Sequence, residues 1–565
     1  MNQAVAAHPF AFIGARFRQR LAQLGSCSSE TRFALCISLI WTALYNAPFW
    51  ERTLEAMWHP TLGGVTFLVS LFGLVLSLQA LLLLLMPTTA AMRTVASVLF
   101  ITAAGSSYFI AEYGVILNKD MLRNVLETDP AEVSALLNVH LLATLAVFGI
   151  APAVLVWQIA LPPRSWRKRL RQRAIALGTV IAVCLACLFA SSADYAVFFR
   201  QHKPIRFTLV PFAPVTSLIE LVSQDNGRHA DETLLNPAGQ TRHVGATRAR
   251  PLVIFLVIGE TARAANFALG TYPRATNPEL EHTENLVYFT HATACGTSTA
   301  TSVPCMFSHL GRSDFNVDEA PRFTNLLDAL AASGFDVQWR DNNAGCKGVC
   351  TRVATVRYAG VSDDKLCPRS YCYDEVMLTD LAERLRTLER DSVIVFHQIG
   401  SHGPAYADRY PPELERFKPA CRSNELQHCT QQEILNAYDN TIAYTDHVLA
   451  AQIALLRSAS DQLDSILIYA SDHGESLGEQ GVYLHGMPFG FAPEGQKRVP
   501  MLIWTSEGYQ ERTRLDVRCV REHADTAVSH DNLYHTVLGA AELSNQVYNP
   551  LLDILAACRH ASLGE

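Results

Sequence analysis

The chain has 565 residues, too many for one small core; 49% are hydrophobic and the formal net charge is −7. That composition is ordinary for a soluble protein, and its mild acidity argues against a nucleic-acid partner. The apolar residues are unevenly spread, with long uncharged runs in the first two hundred positions and a mixed globular sequence after them.

Five stretches are long enough to cross a bilayer core of roughly 30 Å, which takes about 20 apolar residues. They are Phe33–Trp50, Leu62–Met86, Thr94–Leu117, Val133–Leu161 and Ala174–Phe199. Five in succession, several without a charge, predict a helical transmembrane bundle and not a set of buried soluble helices. Arg16, Arg18, Arg20 and Arg32 precede the first span, but no small-residue cleavage site follows it, so a signal peptide is not expected. Between spans four and five lie Arg164, Arg167, Lys168, Arg169, Arg171 and Arg173 with no acid, whereas the link before span four mixes Lys119 and Arg123 with Asp120, Glu127, Asp129 and Glu132. The positive-inside rule then puts the N-terminus and the Arg-rich loop inside, and everything after Phe199 outside. Arg200, Lys203 and Arg206 run mildly against that rule; contact with lipid phosphates and a plain solvated flank both account for them.

Eight cysteines beyond the spans fall into close pairs: Cys295/Cys305, Cys346/Cys350, Cys367/Cys372 and Cys421/Cys429. In an exported region such pairs read as disulfides, each contributing roughly 2–3 kcal/mol. A structural zinc site is the rival for Cys346 and Cys350, but no second Cys or His pair stands at zinc-ribbon spacing. Cys27, Cys36, Cys184 and Cys187 lie in or near the spans and read as free thiols, and Cys519 and Cys558 are open to either pairing or freedom.

The chain is expected to divide into a five-span domain over 1–200, a linker region over 201–250 and an outer domain over 251–565. In the last, apolar strands alternate with polar turns and helices. The clearest strands are Pro251–Ile258, Asp336–Trp339, Ser392–Phe396, Ser465–Tyr469 and Val499–Trp504, and helices fall at Phe323–Ser333, Asp374–Leu388 and Glu433–Leu456. Runs such as LVIFLVI and SILIY are apolar on both faces, as central strands of an α/β sheet are. Chemistry in such sheets sits beyond the carboxyl ends of the strands. Those ends carry Glu260, Asn342/Asn343, His402 and Asp472/His473, four sets of chelating or polar groups aimed at one edge.

Two carboxylates and an imidazole (Glu260, Asp472, His473) suit a divalent metal of the zinc or manganese type. Thr299 lies in CGTSTATSVPC, a loop that a Cys295–Cys305 disulfide would close, and a metal-bound hydroxyl is a nucleophile at neutral pH. Asn343, Lys347, His402 and His485 are placed to hold phosphoryl oxygens or orient a leaving group. DHGE alone is a weak motif, and isolated histidines such as His282 and His309 are usually structural; His397, ending an apolar strand, reads as a packed one.

The stretches IGETAR, CGTSTATSVPCMFS, RDNNAGCKGVC, HQIGSHGPAY and SDHGESLGEQGVYLHGMPFG resemble the lipid A phosphoethanolamine transferases, which include the mobile colistin-resistance enzymes. The resemblance covers nearly the whole chain. It implies an outer α/β sandwich domain of the alkaline phosphatase/sulfatase type with a central mixed sheet. It also implies a tight Zn2+ site at Glu260, Thr299, Asp472 and His473, with Thr299 the phosphoethanolamine acceptor. By it, His402 and His485 bind the substrate phosphate or a second, weaker zinc, and Asn343 and Lys347 lie near the transferred phosphoryl. Tyr113, Asn124, Thr128 and Glu132 are its lipid head-group contacts; the last three share one helical face, a spacing that a solvated face also explains. Some members carry serine where this chain has Ala344, a departure that bears on head-group contact. The implied reaction moves phosphoethanolamine from phosphatidylethanolamine to a phosphate of lipid A in the Gram-negative inner membrane, with diacylglycerol released and resistance to cationic peptides gained. A monomer is expected. The rivals are a phosphoglycerol transferase or exported phosphatase, and a silent membrane sensor; a sulfatase is disfavoured because no Cys-x-Pro-x-Arg is present.

Overall fold

The computed structural model describes residues 29–58, 60–127, 133, 136–161, 165–225, 234–245, 249–358, 360–361, 363–368 and 372–559. The chain divides into two compact units, Met1–Asn118 with Asn138–Ile219 and Lys119–Leu137 with Glu220–Glu565.

The first unit opens with α1 (Glu30–Ile40), which runs through a widened turn at Trp41–Tyr45 and bends by 64° into α2 (Ala47–Met57). The bend has a polar cause. Asn46 leaves helical backbone geometry, donates from Nδ2 to the carbonyls of Trp41 at 2.8 Å and Val210 at 2.7 Å, and accepts from the Val210 N–H at 2.8 Å. Gln79 joins them, donating to the Val210 carbonyl at 3.2 Å and accepting from Thr42 Oγ1 at 2.8 Å. In an apolar surround such groups must satisfy one another, and here they do. Next come α3 (Leu62–Leu84) and α4 (Thr89–Tyr113), the short α5 (Lys119–Glu127) of the second unit, then α6 (Val139–Gln158) and α7 (Trp166–Ala190). Among the described residues α3, α4, α6 and α7 are long and apolar enough to cross a membrane, and counting the bent α1–α2 pair as one span gives five.

Span boundaries differ from expectation: the fourth runs Val139–Gln158, and the fifth ends at Ala190, before a separate helix at Ser192–Gln201. The third span starts earlier and stops earlier because Thr88 caps it, accepting from the Ala91 N–H, and Gly114 ends it at φ 68°. The last starts at Trp166 because the Arg-rich stretch is itself helical; Arg169 and Arg173 meet Glu30 at 2.9 and 2.7 Å.

The second unit is built on a seven-stranded mixed sheet. Its strands are β1 (Leu252–Gly259), β2 (Leu286–Phe289), β3 (Asp336–Asp341), β4 (Ala354–Arg357), β5 (Ser392–His397), β6 (Asp464–Ser471) and β7 (Met501–Thr505), in the order β2-β7-β6-β1-β5-β3-β4. All neighbours pair parallel except at β7, which is antiparallel to both β6 and β2. The edge strands β2 and β4 are only four residues long; β2 is partly buried and β4 mostly exposed. Every residue of β1 is buried. Leu252, Ile254, Leu256 and Ile258 pack into one core with α8 (Thr299–Met306) and α9 (Leu326–Ala332), while Val253, Phe255 and Val257 pack into another with α10 (Leu381–Arg386) and α11 (Gln431–Ser458). That alternation is the period-two geometry of a strand covered on both faces, and it makes the α/β sandwich. The expected helix over Asp374–Leu388 is in fact two pieces, a 3-10 turn at Asp374–Leu378 and then α10.

All four expected disulfides form, Cys295–Cys305, Cys346–Cys350, Cys367–Cys372 and Cys421–Cys429, and the open pair Cys519–Cys558 forms a fifth. Cys519 and Cys558 are 39 residues apart and Cys346 and Cys350 only 4. Loop-closure entropy values the long loop at about 4 kcal/mol and the short one at about 2 kcal/mol. Replacing both Cys519 and Cys558 by alanine should therefore lower the melting temperature of the second unit more than the same change at Cys346 and Cys350. Calorimetry of the intact protein in detergent checks the ranking, and a reversed order would contradict it.

Candidate active site

The site lies beyond the carboxyl ends of the neighbouring parallel strands β1 and β6. β1 delivers Glu260, fully buried, and the chain then turns through Thr261 at φ 51°. β6 delivers Asp472 and His473, also fully buried; the Asp472 N–H donates to the Gly259 carbonyl at 2.8 Å, locking the two strand ends together. Two glycines make the approach possible. Gly400 has φ 48°, and a Cβ there would sit 2.7 Å from the Glu260 carbonyl oxygen; a Cβ on Gly474 would sit 1.9 Å from the Gly495 oxygen.

Hydrogen bonding leaves one oxygen over on each of the two carboxylates, and leaves the second nitrogen of His473 facing them. Asp472 Oδ1 accepts from the N–H groups of Thr261 at 3.2 Å and His473 at 2.7 Å, while Oδ2 has no hydrogen bond. Glu260 Oε2 accepts from Thr299 Oγ1 at 3.1 Å and Asn343 Nδ2 at 2.8 Å, while Oε1 has none. His473 Nδ1 donates to the Gly474 carbonyl at 2.9 Å, which leaves the Nε2 lone pair facing Asp472 Oδ2 at 3.3 Å and Glu260 Oε1 at 3.5 Å. One ligand atom from each residue lies within 4.8 Å of the others. Two buried carboxylate oxygens without donors and a buried imidazole nitrogen whose hydrogen-bond contact is the Thr299 hydroxyl form a set that a divalent cation fits.

The electrostatics agree. Burial pushes the Glu260 carboxyl up, but the surrounding histidines, His473 first and then His402, His485 and His397, outweigh it and bring it below the usual carboxylate range. Burial and then the Glu260 charge push Asp472 well above the carboxylate range. Burial and His485 lower His473 to about 3, the neutral ligand form. Two adjacent carboxylates that resist joint ionisation are relieved by a cation between them.

Thr299 is the first residue of α8 and is 7% exposed. Besides Glu260, its Oγ1 meets His473 Nε2 at 3.3 Å. Its loop is braced three ways: by the Cys295–Cys305 disulfide, by Ser302 Oγ accepting from the Gly296 N–H at 3.0 Å, and by His530. His530 Nδ1 accepts from the Cys295 N–H at 3.1 Å and its Nε2 donates to the Ser471 carbonyl at 2.9 Å, so one imidazole ties the loop to the end of β6. Burial lowers His530 to about 4, and it stays neutral in that role.

Two further histidines close over the cluster. The ring of His485 lies 4.4 Å from that of His473 and 5.4 Å from that of His402, centroid to centroid. His402 Nδ1 donates to the Gly403 carbonyl at 2.8 Å, fixing its tautomer. His485 Nδ1 stands 3.4 Å from Glu475 Oε1; burial opposes charge on His485, but Glu475 outweighs it and raises the imidazole.

The structure thus gathers Glu260, Thr299, Asn343, His402, Asp472, His473 and His485. Lys347 is on the adjoining loop closed by Cys346–Cys350, with Nζ 3.3 Å from the Ala344 carbonyl and 3.4 Å from that of Glu127 on α5. Asn124 lies on α5; Tyr113 ends α4 in the first unit, where it stacks on Phe109 at 5.8 Å; Thr128 and Glu132 fall outside the described residues. Asn342 faces away and, with the N–H groups of Ile399 and Gly400, donates to Asp374, anchoring the loop that bears His402. His397 is packed as expected, 2.8 Å from Asp341 Oδ1 and edge-on to Trp339. Glu475, His530 and Asp374 escaped the sequence reading. Glu475 stands two places beyond the Asp-His pair and was within reach of it, whereas His530 and Asp374 carry no local signal.

The sulfatase family profile matches residues 253–543, and the profile described as phosphoethanolamine transferase EptA/EptB matches residues 75–226. Phosphoethanolamine transferase EptA of Escherichia coli strain K12 is 37% identical over 524 residues, spanning 92% of this chain and 95% of its own. Phosphatidylethanolamine transferase Mcr-1 of Escherichia coli is 35% identical, spanning 89% and 93%. The solved structure of the integral membrane protein lipooligosaccharide phosphoethanolamine transferase A (EptA) of Neisseria meningitidis matches with a TM-score of 0.91 at 32% identity, covering 95% of this chain and 100% of that one. Such identity along nearly the full length, over a buried cation-ready site with a threonine at its edge, places this chain in the phosphoethanolamine transferase family, as an enzyme of that family.

Proposed function

We propose that the chain transfers phosphoethanolamine from phosphatidylethanolamine to a phosphate of lipid A, on the periplasmic side of the Gram-negative inner membrane, through a phosphoethanolamine ester of Thr299. The observation that carries this is the position of Thr299 Oγ1, 3.1 Å from Glu260 Oε2 and 3.3 Å from His473 Nε2 at the edge of the buried donor set. The relative named as a phosphatidylethanolamine transferase supports the donor, and the structure named for lipooligosaccharide supports the acceptor class.

Glu260, Asp472, His473 and Thr299 are the residues that would hold Zn2+, which when bound supplies positive charge favouring the ionised hydroxyl and the phosphoryl oxygens. Thr299 Oγ1 gives up its proton and attacks the donor phosphorus; the phosphorus–glycerol oxygen bond breaks, and diacylglycerol leaves with a proton. A lipid A phosphate oxygen then attacks the phosphothreonine, the bond to Oγ1 breaks, and Thr299 regains its proton. Asn343, Lys347, His402 and His485 hold phosphoryl oxygens as charge builds on them. His402 and His485 are also the pair that a second, weaker zinc would take. A monomer suffices, since one chain supplies every group in the cluster. The product carries an added ammonium, which weakens attraction for cationic peptides such as colistin.

Expressed in a Gram-negative host, the chain should add one phosphoethanolamine mass to lipid A, and Thr299→Ala should reduce that product to background while keeping the parent melting temperature. Mass spectrometry of extracted lipid A reads both; unchanged lipid A in a host where the protein is made and inserted would move the acceptor to another sugar, lipid or water.

A second expectation concerns the metal. After chelation, Asp472→Asn should melt above the equally stripped parent, because each pKa unit of relieved repulsion is worth about 1.4 kcal/mol. With zinc restored the order should reverse. Equal melting of the stripped proteins would contradict the charge argument.

A further inference from the structure

Beside the nucleophile helix the second unit holds a cavity of about 470 Å³ that none of Glu260, Asp472 and His473 lines. One wall is α5, through Arg123 and Glu127; another is α8, through Ala300 and Pro304; the loop from Lys347 to Arg352 makes the third. Phe323 and Val317 add apolar surface. Three cations and one carboxylate line it, so its charge favours an anion.

Two of those cations have donors to spare. Arg123 is 6% exposed, and its Nη2 is committed to Asp318, which Lys119 also meets at 3.1 Å. Its Nη1 makes no hydrogen bond, Asp120 Oδ1 standing 3.9 Å away. A buried guanidinium nitrogen without an acceptor is costly unless something fills the place. The Lys347 ammonium, 9% exposed, makes only long contacts, 3.3 and 3.4 Å to carbonyls and 3.9 Å to Glu127 Oε2. Arg352 is already engaged by Asp328 at 2.7 and 2.6 Å, so it adds field but no free fork. Arg123 and Glu127, four residues apart, share one side of α5, and Asn124 is not among the residues that line the cavity.

We infer that this cavity seats the phosphate monoester of the acceptor, with Arg123 Nη1 and Lys347 Nζ as its donors and the apolar wall beside Phe323 taking the adjoining non-polar surface. Guanidinium and ammonium groups recognise phosphate oxygens by charge-assisted hydrogen bonds. The cavity lies against the helix that Thr299 begins, so a phosphate bound there is carried by the same rigid element as the phosphothreonine it must attack. The inference rests on the reading above, since it needs a phosphoenzyme to discharge.

The test separates the two half-reactions of the full-length protein in detergent. Phosphatidylethanolamine alone loads Thr299, read by intact-protein mass; lipid A then discharges it. Arg123→Gln should raise the acceptor concentration needed for half-maximal discharge by about tenfold, with loading changed less than twofold. Because Arg123 also holds Asp318, Ala320→Phe serves as a second variant that fills the cavity and leaves that ion pair; it should slow discharge likewise while melting with the parent. Loading that falls as far as discharge would assign the cavity to the donor's phosphate and overturn the inference. Discharge unchanged in both variants, with the parent loading normally, would overturn it while leaving the transferase reading intact. A parent that never loads would remove both.

Discussion

Glu260 Oε1 and Asp472 Oδ2, which lack hydrogen-bond partners, are brought together with His473 Nε2, whose hydrogen-bond contact is Thr299 Oγ1, where water cannot solvate them, and the rest of the second unit is arranged around that constraint. Two carboxylates at such distance repel in a buried site, so the fold has to hold them by force of packing. β1 and β6 do so because both are buried along their whole length in the centre of the sheet, paired in parallel register to their last residues. Gly400 and Gly474 then let backbone close in where a side chain would hold it off.

Around this centre the polar groups are fixed by local bonds and not by solvent. His473 and His402 each spend Nδ1 on a neighbouring carbonyl, so tautomer and ring orientation are set before any ligand arrives. Asp374 collects Asn342 and two loop N–H groups to steady the turn carrying His402, and His530 bridges the threonine loop to β6. Preorganisation of this sort lets the donors act on developing charge without first reorienting.

Much of this was legible in the sequence, for a physical reason. Continuous apolar runs ending abruptly in Glu260 or in Asp472–His473 have few explanations other than a central strand delivering a ligand, and uncharged stretches of twenty residues have few other than a membrane. The edge strands β2 and β4 were missed because strands only four residues long leave no clear period. The 64° break at Asn46 was hidden because its cause is Val210, 164 residues away. The grouping of α5 with the second unit also depends on distant partners, Asp318 among them. Asn342 and Asn343 show the limit most plainly: adjacent and identical, Asn343 bonds Glu260 and Asn342 turns the other way to buried Asp374, a choice that only the folded loop decides.

Metal analysis of the purified full-length protein tests most directly the proposal that the buried carboxylates hold a cation. One tightly held zinc ion per chain should survive extensive dialysis and be lost from Glu260→Gln. A folded, active chain carrying no metal would contradict it.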